Sequence, residues 1–373
     1  MHKITFYPLG NADTSLIQLK NGKNILFDYA HCKSGEDNYD KRCDLAKELN
    51  KANTKDYFDI VCFTHLDNDH VTGSKDYFYF NHAQAYQGGD RKKIREMWVP
   101  AEIITESNRN GLSESAKVVQ AEARYRMRNA FGLKIFSSSK KLREWCERND
   151  GYSYESIKHL VVNAGTIVNS LSLINDGIEV FAHCPFYSDS LNVDRNNNAI
   201  VVQCTFDNMH SSKLILGSDI DYDVWENIIQ ITKAKGNPHR LEWDLFHLSH
   251  HCSYRALSHI KGKRKTDPSI INRWLYENQK KPGGRIISPS NIIPLDYAET
   301  IQPPHRQAYN YYIEDAKAEV KVTMEYPSKE APKPMVFIIN QYGVDPEAIK
   351  SATYVTAGTL TPPRAGKNDY ENL

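Results

Sequence analysis

The sequence lacks any apolar run that approaches the roughly 20 residues needed to cross a bilayer. Its opening, Met1-His2-Lys3-Ile4, leads into a predicted strand and shows no signal-peptide pattern. The 7 cysteines are odd in number, scattered, and without Cys-x-x-Cys spacing. This usage argues against a disulfide framework and against a structural zinc cluster. We therefore predict a cytoplasmic protein with no membrane segment.

Net charge of either sign is also nearly absent, since 47 Lys and Arg face 46 Asp and Glu, for a formal charge of +1. This balance gives little support to a surface that holds nucleic acid by charge alone. At 373 residues and 40% hydrophobic content, the chain can bury a large core, and its length suggests insertions. Residues 1–345 are predicted to form one domain, and the polar residues 346–373 a loose tail.

The most informative segment is Thr64-His65-Leu66-Asp67-Asn68-Asp69-His70, which follows the apolar stretch Asp59–Phe63. A strand that ends at Thr64 directs alternate side chains to one side, so His65 and Asp67 can share a direction. A following turn can return Asp69 and His70 to the same point. The segment therefore has the spacing of a metal site. The alternative is that Asp and Asn cap a turn while the histidines lie on the surface.

This segment resembles the His-x-His-x-Asp-His signature of the metallo-β-lactamase superfamily, with Asp67 where most members have their second His. The form His-x-Asp-x-Asp-His is found in the soluble hydrolase domain of the DNA-uptake channel protein ComEC and in stand-alone proteins like it. An additional carboxylate makes the site richer in oxygen ligands. The two divalent ions that the resemblance implies are therefore Zn²⁺ or Mn²⁺.

The resemblance extends discontinuously from about Ile4 to about Gln341. Asp13 and Asp28 fall where the family keeps acidic residues, and Cys252 replaces the Gly of a His-His-Gly-Ser element. The segments that carry the resemblance are Ile4–Ile17, Asn21–Lys23, Ile25–Asp28, Asn198–Val202, Leu214–Asp219, Leu245–Ser253, Ile286–Ser290 and Pro303–His305.

The fold that this resemblance implies is an α/β protein, an αββα sandwich of the metallo-β-lactamase type, with the site where strand ends converge. Alternation of short apolar runs with amphipathic stretches fits such layers. Residues 101–174, with a helix predicted over 113–131, are longer than the usual connection there. We interpret them as an inserted helical cap that overhangs the site. The alternative is a packing or dimer element unrelated to catalysis.

Ligand roles follow from the resemblance. They are His65, Asp67 and His183 for the first ion, Asp69, His70 and His250 for the second, and Asp219 as the bridge. His183 could equally be an ordinary loop histidine. The predicted catalytic residues are Asp69, His251 and His305, the two histidines contacting substrate or protonating a leaving oxygen. The predicted substrate contacts are Asn198, Ser253, Arg255 and Lys263.

The implied chemistry is metal-assisted hydrolysis, and the ComEC resemblance implies a phosphodiesterase or nuclease that acts on nucleic acid. Candidate phosphate contacts are the basic runs 91–95, 124–128 and 261–265. The alternative is that these runs only form solvent-exposed faces. Two alternatives stay open. One is a hydrolase of a small nucleotide or other small molecule. The other is a non-catalytic or partner-activated metal-binding subunit. A companion protein or a homo-oligomer is also left open.

Overall fold

The computed structural model describes residues 1–37, 39–136, 139–186, 195–297 and 301–348. The strands are β1 His2–Phe6, β2 Ser15–Gln18, β3 Asn24–Phe27, β4 Tyr57–Cys62, β5 Lys93–Pro100, β6 Leu133–Phe136, β7 Val161–Val162, β8 Ile178–Cys184, β9 Val201–Phe206, β10 Lys213–Leu216, β11 Trp243–His247, β12 Lys280–Ser288, β13 Glu319–Val322, β14 Met335–Asn340 and β15 Gly343–Pro346. The helices are α1 Leu45–Ala52, α2 Asn68–Val71, α3 Ser74–Tyr77, α4 Ala101–Thr105, α5 Glu114–Arg128, α6 Ser139–Arg148, α7 Tyr154–Ile157, α8 Leu173–Asp176, α9 Tyr222–Ala234, α10 Ile270–Asn278 and α11 Arg306–Glu314.

The strands form two sheets. A nine-stranded sheet has the order β15-β14-β1-β2-β3-β4-β5-β6-β7, and a six-stranded sheet has the order β13-β12-β11-β10-β9-β8. Within the first sheet, β3 to β7 are parallel to one another. In the second, β10 to β13 are parallel. Parallel strands of this kind are covered on both faces, which explains their continuous burial.

Three apolar cores define the layers. The central core joins inward side chains of both sheets, such as Phe6 and Ile60 from one and Val202 and Leu245 from the other. A second core lies between the nine-stranded sheet and helices α1, α4, α5 and α6. A third lies between the six-stranded sheet and α9, α10 and α11. The fold is therefore an αββα sandwich, and the fold class predicted from the sequence is confirmed.

The carboxyl ends of the parallel strands bring the conspicuous polar residues to one edge of the sandwich. Thr64 follows β4, Asp28 follows β3, and Ser218 follows β10. The Ser218 hydroxyl donates to the Thr64 hydroxyl over 2.9 Å, and the Ile200 amide donates to the Thr64 carbonyl over 3.2 Å. These bonds connect the two sheets directly. In open parallel sheets, ligands bind outside the carboxyl ends of the strands, so this edge is the place to seek a site.

Residues 101–174 contain strands as well as helices in the part that the structure describes, and the inserted helical cap over the site stays a prediction. The short strand β6 pairs in parallel with β5, and β7 pairs with β6, so both extend the nine-stranded sheet. Helix α5, whose N-cap Ser113 accepts from the Ala116 amide, packs Val119, Ala123 and Met127 into the outer core. This four-residue spacing forms one apolar face. The described part of the segment therefore belongs to the sheet and to its helix layer, while the loop after α4 approaches the edge where Thr64 lies, since Glu106 is 3.5 Å from Arg195, the partner of Asp67.

A buried ion pair fixes α5 to the sheet. The Arg126 guanidinium donates to the Glu122 carboxylate over 2.7 Å and to the carbonyl groups of Ile94 and Gly132 over 2.9 Å each. Burial favours the protonated form of Glu122, but hydrogen bonds from His82, Asn81 and Arg126 outweigh it. These bonds lower the pKa of Glu122 to about 2. The pair thus contributes stability as long as Glu122 is ionised.

The first two residues of the predicted tail contact the fold, because Pro346 ends β15, which pairs with β14, and the Glu347 amide donates to the Val336 carbonyl over 2.8 Å. Residues 349–373 lie outside the described part of the chain. Among the described residues, no helix has both the length and the apolar character that a membrane crossing requires.

Candidate metal centre

Four side chains from three separate turns converge at the edge of the sandwich. Asp69 and His70 lie in the turn after β4, Asp219 follows β10, and His251 follows β11. One potential ligand atom from each residue lies within 4.8 Å of all the others. We call these four residues the metal cluster. Asp69 is partly exposed and the other three are buried, so the cluster opens to solvent on one side.

Asp219 lies between the two imidazoles of the cluster. Its Oδ1 is 3.4 Å from Nε2 of His70, and its Oδ2 is 3.4 Å from Nε2 of His251. The same His251 atom is 3.1 Å from Oδ2 of Asp69. Asp219 is therefore the carboxylate that lies between the two histidines of the cluster, and its bridging role stays a prediction.

Asp28 holds His70 from behind. Its Oδ2 accepts from Nδ1 of His70 over 2.7 Å and from the Thr64 hydroxyl over 2.6 Å, while its Oδ1 accepts from the Thr64 amide over 2.7 Å. Asp28 has a left-handed φ of 57°, which turns its carboxylate back towards the turn after β4. A carboxylate on Nδ1 fixes the orientation of a ligand imidazole and leaves Nε2 for the ion.

His251 is oriented by a main-chain carbonyl. Its Nδ1 donates to the Pro289 carbonyl over 2.8 Å, because a carbonyl can only accept. The Nε2 atom is therefore the one directed at the cluster. The backbone is left-handed at three successive residues, with φ of 53° at His250, 52° at His251 and 64° at Cys252. Cys252 thus takes the conformation that Gly would adopt most easily.

This left-handed run reverses the roles predicted for the two adjacent histidines. His251 joins the cluster, whereas Nδ1 of His250 lies 3.6 Å from Oδ1 of Asp221. Asp221 in turn accepts from Arg255 over 2.6 Å. The assignment of His250 as a ligand and of His251 as a substrate contact is therefore corrected. Consecutive left-handed residues break the alternation on which a sequence argument would depend.

His65 and Asp67 lie beside the cluster but are not part of it. Nδ1 of His65 is 3.1 Å from the Thr64 hydroxyl, and its ring centroid is 3.9 Å from that of His70. Oδ2 of Asp67 is 3.9 Å from Nε2 of His65, and its Oδ1 accepts from Arg195 over 3.1 Å. His65 therefore faces the cluster, while one oxygen of Asp67 lies near His65 and the other accepts from Arg195.

His183 lies elsewhere, which corrects its prediction as a ligand. It alternates along β8 with Val180 and Ala182, whose side chains belong to the core between the sheets. Its ring therefore points to the other face, where it packs on Phe181 and its Nε2 lies 2.8 Å from the Arg240 carbonyl. The His183 imidazole therefore does not point towards the metal cluster.

The remaining predicted catalytic and substrate-contact residues lie outside the metal cluster. His305 is buried, edge-on to Tyr254 with ring centroids 5.0 Å apart, and it is not in the cluster. Ser253 caps a short turn by accepting from the Arg255 amide over 3.2 Å. Asn198 ends a 3-10 turn that begins at Asn196, and Lys263 is exposed. Arg255 bonds Asp221, which lies two residues after Asp219, and the His305 amide donates to the carbonyl of Cys252, next to His251, over 3.0 Å.

Two residues near the site had no role in the sequence prediction. His247 stacks on Phe6 with centroids 5.3 Å apart, and its Nε2 is 3.7 Å from Oδ1 of Asp13. Arg195 pairs with Asp67 from a loop far along the chain. The position of His247 at the end of β11 was a usable signal, because the last residue of a central parallel strand faces this edge. Arg195 carried no such signal.

The negative charge of Asp219 favours the protonated form of the two neighbouring imidazoles. Burial opposes ionisation of the imidazoles, but the negative charge of Asp219 raises the pKa of both His70 and His251. Burial raises the pKa of Asp13 to about 8, although His251 and His70 act in the opposite direction. The Asp219 carboxylate therefore favours positive charge on both imidazoles. A pocket that stabilises protons at these atoms also stabilises a cation.

Several buried atoms around the cluster have no hydrogen-bond partner among the described residues, which tests whether a metal ion fits. They are Nε2 of His65, Nε2 of His70, Oδ1 of Asp219 and Oδ1 of Asp13. Buried polar atoms in proteins almost always have partners. An ion bound by imidazole nitrogen and carboxylate oxygen satisfies such atoms, and this mixed donor set suits Zn²⁺ or Mn²⁺. The residues present therefore fit a divalent ion.

No protein-family model matches the chain, and no curated protein matches it. Solved structures similar to it include unliganded yeast PDE1, which is 11% identical with a TM-score of 0.45 and covers 86% of this chain and 96% of its own. Another is a diphosphatase from the PhnP family, which is 10% identical with a TM-score of 0.37 and covers 91% of this chain and 98% of its own. Both similarities are distant, so the function of this chain is inferred below from its own side chains.

Proposed function

We propose that this protein is a hydrolase of phosphodiesters that depends on a divalent metal ion. The observation that carries this proposal is the convergence of Asp69, His70, Asp219 and His251, with unpartnered buried ligand atoms beside an opening to solvent. When bound, such an ion supplies Lewis acidity: it lowers the pKa of a water molecule and offsets charge that develops on a phosphoryl group. Zn²⁺ and Mn²⁺ are the proposed ions.

The protein side chains would divide the remaining work. His70 and His251 offer Nε2 atoms whose directions are fixed by the Asp28 carboxylate and the Pro289 carbonyl. Asp219 offers two oxygen atoms from a buried position. Fixed ligands keep an ion in one place, which positions an attacking water relative to the substrate. The half-exposed guanidinium of Arg255 at the rim is the proposed contact for a substrate phosphate.

The basic runs bear on the size of the substrate. Many of their side chains are paired with other groups of the protein. Arg264 pairs with Glu314, and Lys265 pairs with Asp315 over 2.6 Å. In the run 91–95, Lys93 pairs with Asp56 and Arg95 with Asp59, at 3.1 and 3.2 Å. In the run 124–128, Arg124 donates to main-chain carbonyls and Arg126 is buried on Glu122. A long polyanion needs several cations that are not already paired. We therefore favour a small phosphodiester, such as a nucleotide, over a nucleic acid.

Nucleic acid stays the second candidate, because two arginines flank the cluster. Arg195 lies on the Asp67 side and Arg255 on the Asp221 side. Two guanidinium groups beside one hydrolytic centre could contact successive phosphates of a strand. A companion protein or a second copy of the chain stays a prediction from the sequence.

The test combines elemental analysis with a substrate screen. Protein reconstituted separately with Zn²⁺ and Mn²⁺ is assayed on bis-p-nitrophenyl phosphate, cyclic dinucleotides, short oligonucleotides and duplex DNA. We expect bound divalent metal and chelator-sensitive cleavage of the small phosphodiesters. Asp219→Asn should lose both, whereas Asp56→Asn, a surface carboxylate paired with Lys93, should lose neither.

Two outcomes would contradict the proposal. Protein that takes up no divalent ion at neutral pH would exclude the metal centre. Metal-loaded protein that cleaves none of the phosphodiesters would support the alternative of a non-catalytic or partner-activated subunit. Cleavage of duplex DNA as fast as that of the small substrates would favour the nucleic-acid candidate.

A further inference from the structure

Arg195 forms an ion pair with Asp67, a carboxylate that could otherwise bind a metal ion. Its Nη1 donates to Oδ1 of Asp67 over 3.1 Å, and its Nε lies 3.5 Å from Oε2 of Glu106. One guanidinium thus serves two carboxylates from two different loops. The Asp67 side chain is 36% exposed and that of Arg195 is 24% exposed, so the pair lies at the mouth of the site and can separate without unfolding.

Two local features hold Arg195 in this place. Glu106 is itself fixed, since its Oε1 accepts from the Asn108 amide over 2.6 Å. Gly111 leaves room for the guanidinium, because a Cβ atom there would lie 3.1 Å from Nη2 of Arg195. The loop over residues 106–111 therefore contacts the Arg195 guanidinium through Glu106 and Gly111. The contact with Asp67 is a built feature of the site.

The two sides of the site are consequently unequal. On one side, the metal cluster already has four ligand atoms within 4.8 Å of one another. On the other, Nε2 of His65 is buried with no hydrogen-bond partner in the part of the chain that the structure describes, and Oδ2 of Asp67 lies 3.9 Å from it. A second ion on this side would need Asp67, which is shared with a positively charged neighbour. Both the loss of the pair and the repulsion between cations would weaken that ion.

We propose that Arg195 makes the ion position at His65 and Asp67 weaker than the position at the metal cluster, so that the protein binds two divalent ions with unequal affinity. This inference rests on the proposed metal centre and adds to it. Arg195 is a positioning residue here, acting on the ion through Asp67. Outer partners of metal ligands typically change affinity by about 10-fold to 100-fold. We therefore expect the Arg195 charge to lower the affinity of the weaker position by about tenfold.

The test is a titration of metal-free protein with Mn²⁺ and, separately, with Zn²⁺ against a chromophoric chelator, which reads affinity without any activity assay. Wild type should show one tight and one weaker ion. Arg195→Met, which keeps length and removes charge, should tighten the weaker ion by about tenfold and leave the tighter one unchanged. Arg195→Lys should lie between the two. Asp67→Asn should abolish the weaker ion, and Arg195→Met added to Asp67→Asn should then have no effect.

Two equally tight ions in the wild type would overturn the inference, as would a weaker ion that Arg195→Met leaves unchanged. Circular dichroism of each variant verifies folding, and Arg195→Lys gives the comparison if Arg195→Met does not fold. Cleavage of bis-p-nitrophenyl phosphate is measured in parallel. Unequal ions in a protein that cleaves nothing would defeat the proposed function and support this inference, so the two failures are distinguishable.

Discussion

Asp28 gives the sharpest test of how the site is built, because it contacts a ligand without joining the cluster. Its carboxylate accepts three hydrogen bonds, of 2.7, 2.6 and 2.7 Å, from the Thr64 amide, the Thr64 hydroxyl and Nδ1 of His70. Asp28→Asn keeps the shape of the side chain and tolerates the left-handed φ of 57°. The variant replaces one acceptor by a donor, so at least one of these donors loses its partner.

The magnitude follows from the loss of a buried charge-assisted bond, which is worth about 2 to 3 kcal/mol. We expect urea unfolding of metal-free Asp28→Asn to show a loss of that size. Metal affinity should fall by about 10-fold to 100-fold, because His70 is no longer held. Asp56→Asn, whose carboxylate lies at the surface, is the matched control for both measurements.

One result would refute the reasoning about Asp28. If Asp28→Asn is destabilised but binds metal with wild-type affinity, then Asp28 supports the turn without orienting His70. The chelator titration separates these possibilities, since it is performed on protein that is folded throughout. A fall in affinity without a loss of stability would show that Thr64 finds another acceptor.

Three further predictions concern residues whose roles the structure changed or revealed. His251→Gln should lose bound metal by elemental analysis, whereas His250→Gln should retain it; equal metal content would restore the original assignment. Arg264→Ala with Lys265→Ala should leave both DNA binding and its salt dependence unchanged, and a flatter salt slope would return these cations to a phosphate track. Glu122→Gln removes stability that is present above the ordinary glutamate pKa of 4.5 and lost as pH falls towards about 2. Urea unfolding at pH 7 should therefore show a loss of about 3 kcal/mol, absent near pH 2, and equal losses at both pH values would contradict the ion-pair explanation.

Much of the fold could be predicted because its central strands are apolar and continuous. The helix predicted over 113–131 is α5, and the apolar stretch before Thr64 is β4. The strands of the segment 101–174 could not be predicted, for a physical reason. Strands β6 and β7 have only four and two residues, too few for a period to be read, so the sequence indicated only the helices of this segment. Pairing with β5 is a tertiary fact that no local pattern contains.

The candidate site was predictable in composition but not in geometry. Asp69, His70 and Asp219 lie together with His251, and the ligand roles predicted for them stay predictions. The choice between His250 and His251 depends on three successive left-handed residues, which neither a helix nor a strand would suggest. The partnership of Asp67 with Arg195 joins residues 128 positions apart. Such distances are decided by how the loops pack, so the sequence carries no local trace of them.

The place of the cluster at the seam between the sheets explains why neither half could form it alone. Asp69 and His70 belong to the nine-stranded half, and Asp219 and His251 to the six-stranded half. Burying Asp219 between imidazoles has a desolvation cost that isolated side chains could not offset. The apolar core that joins the sheets offsets that cost, and two hydrogen bonds to Thr64, from the Ser218 hydroxyl and from the Ile200 amide, connect the sheets at the site. Since an ion would have ligands from both halves, the packing that assembles the fold is also what assembles the metal centre.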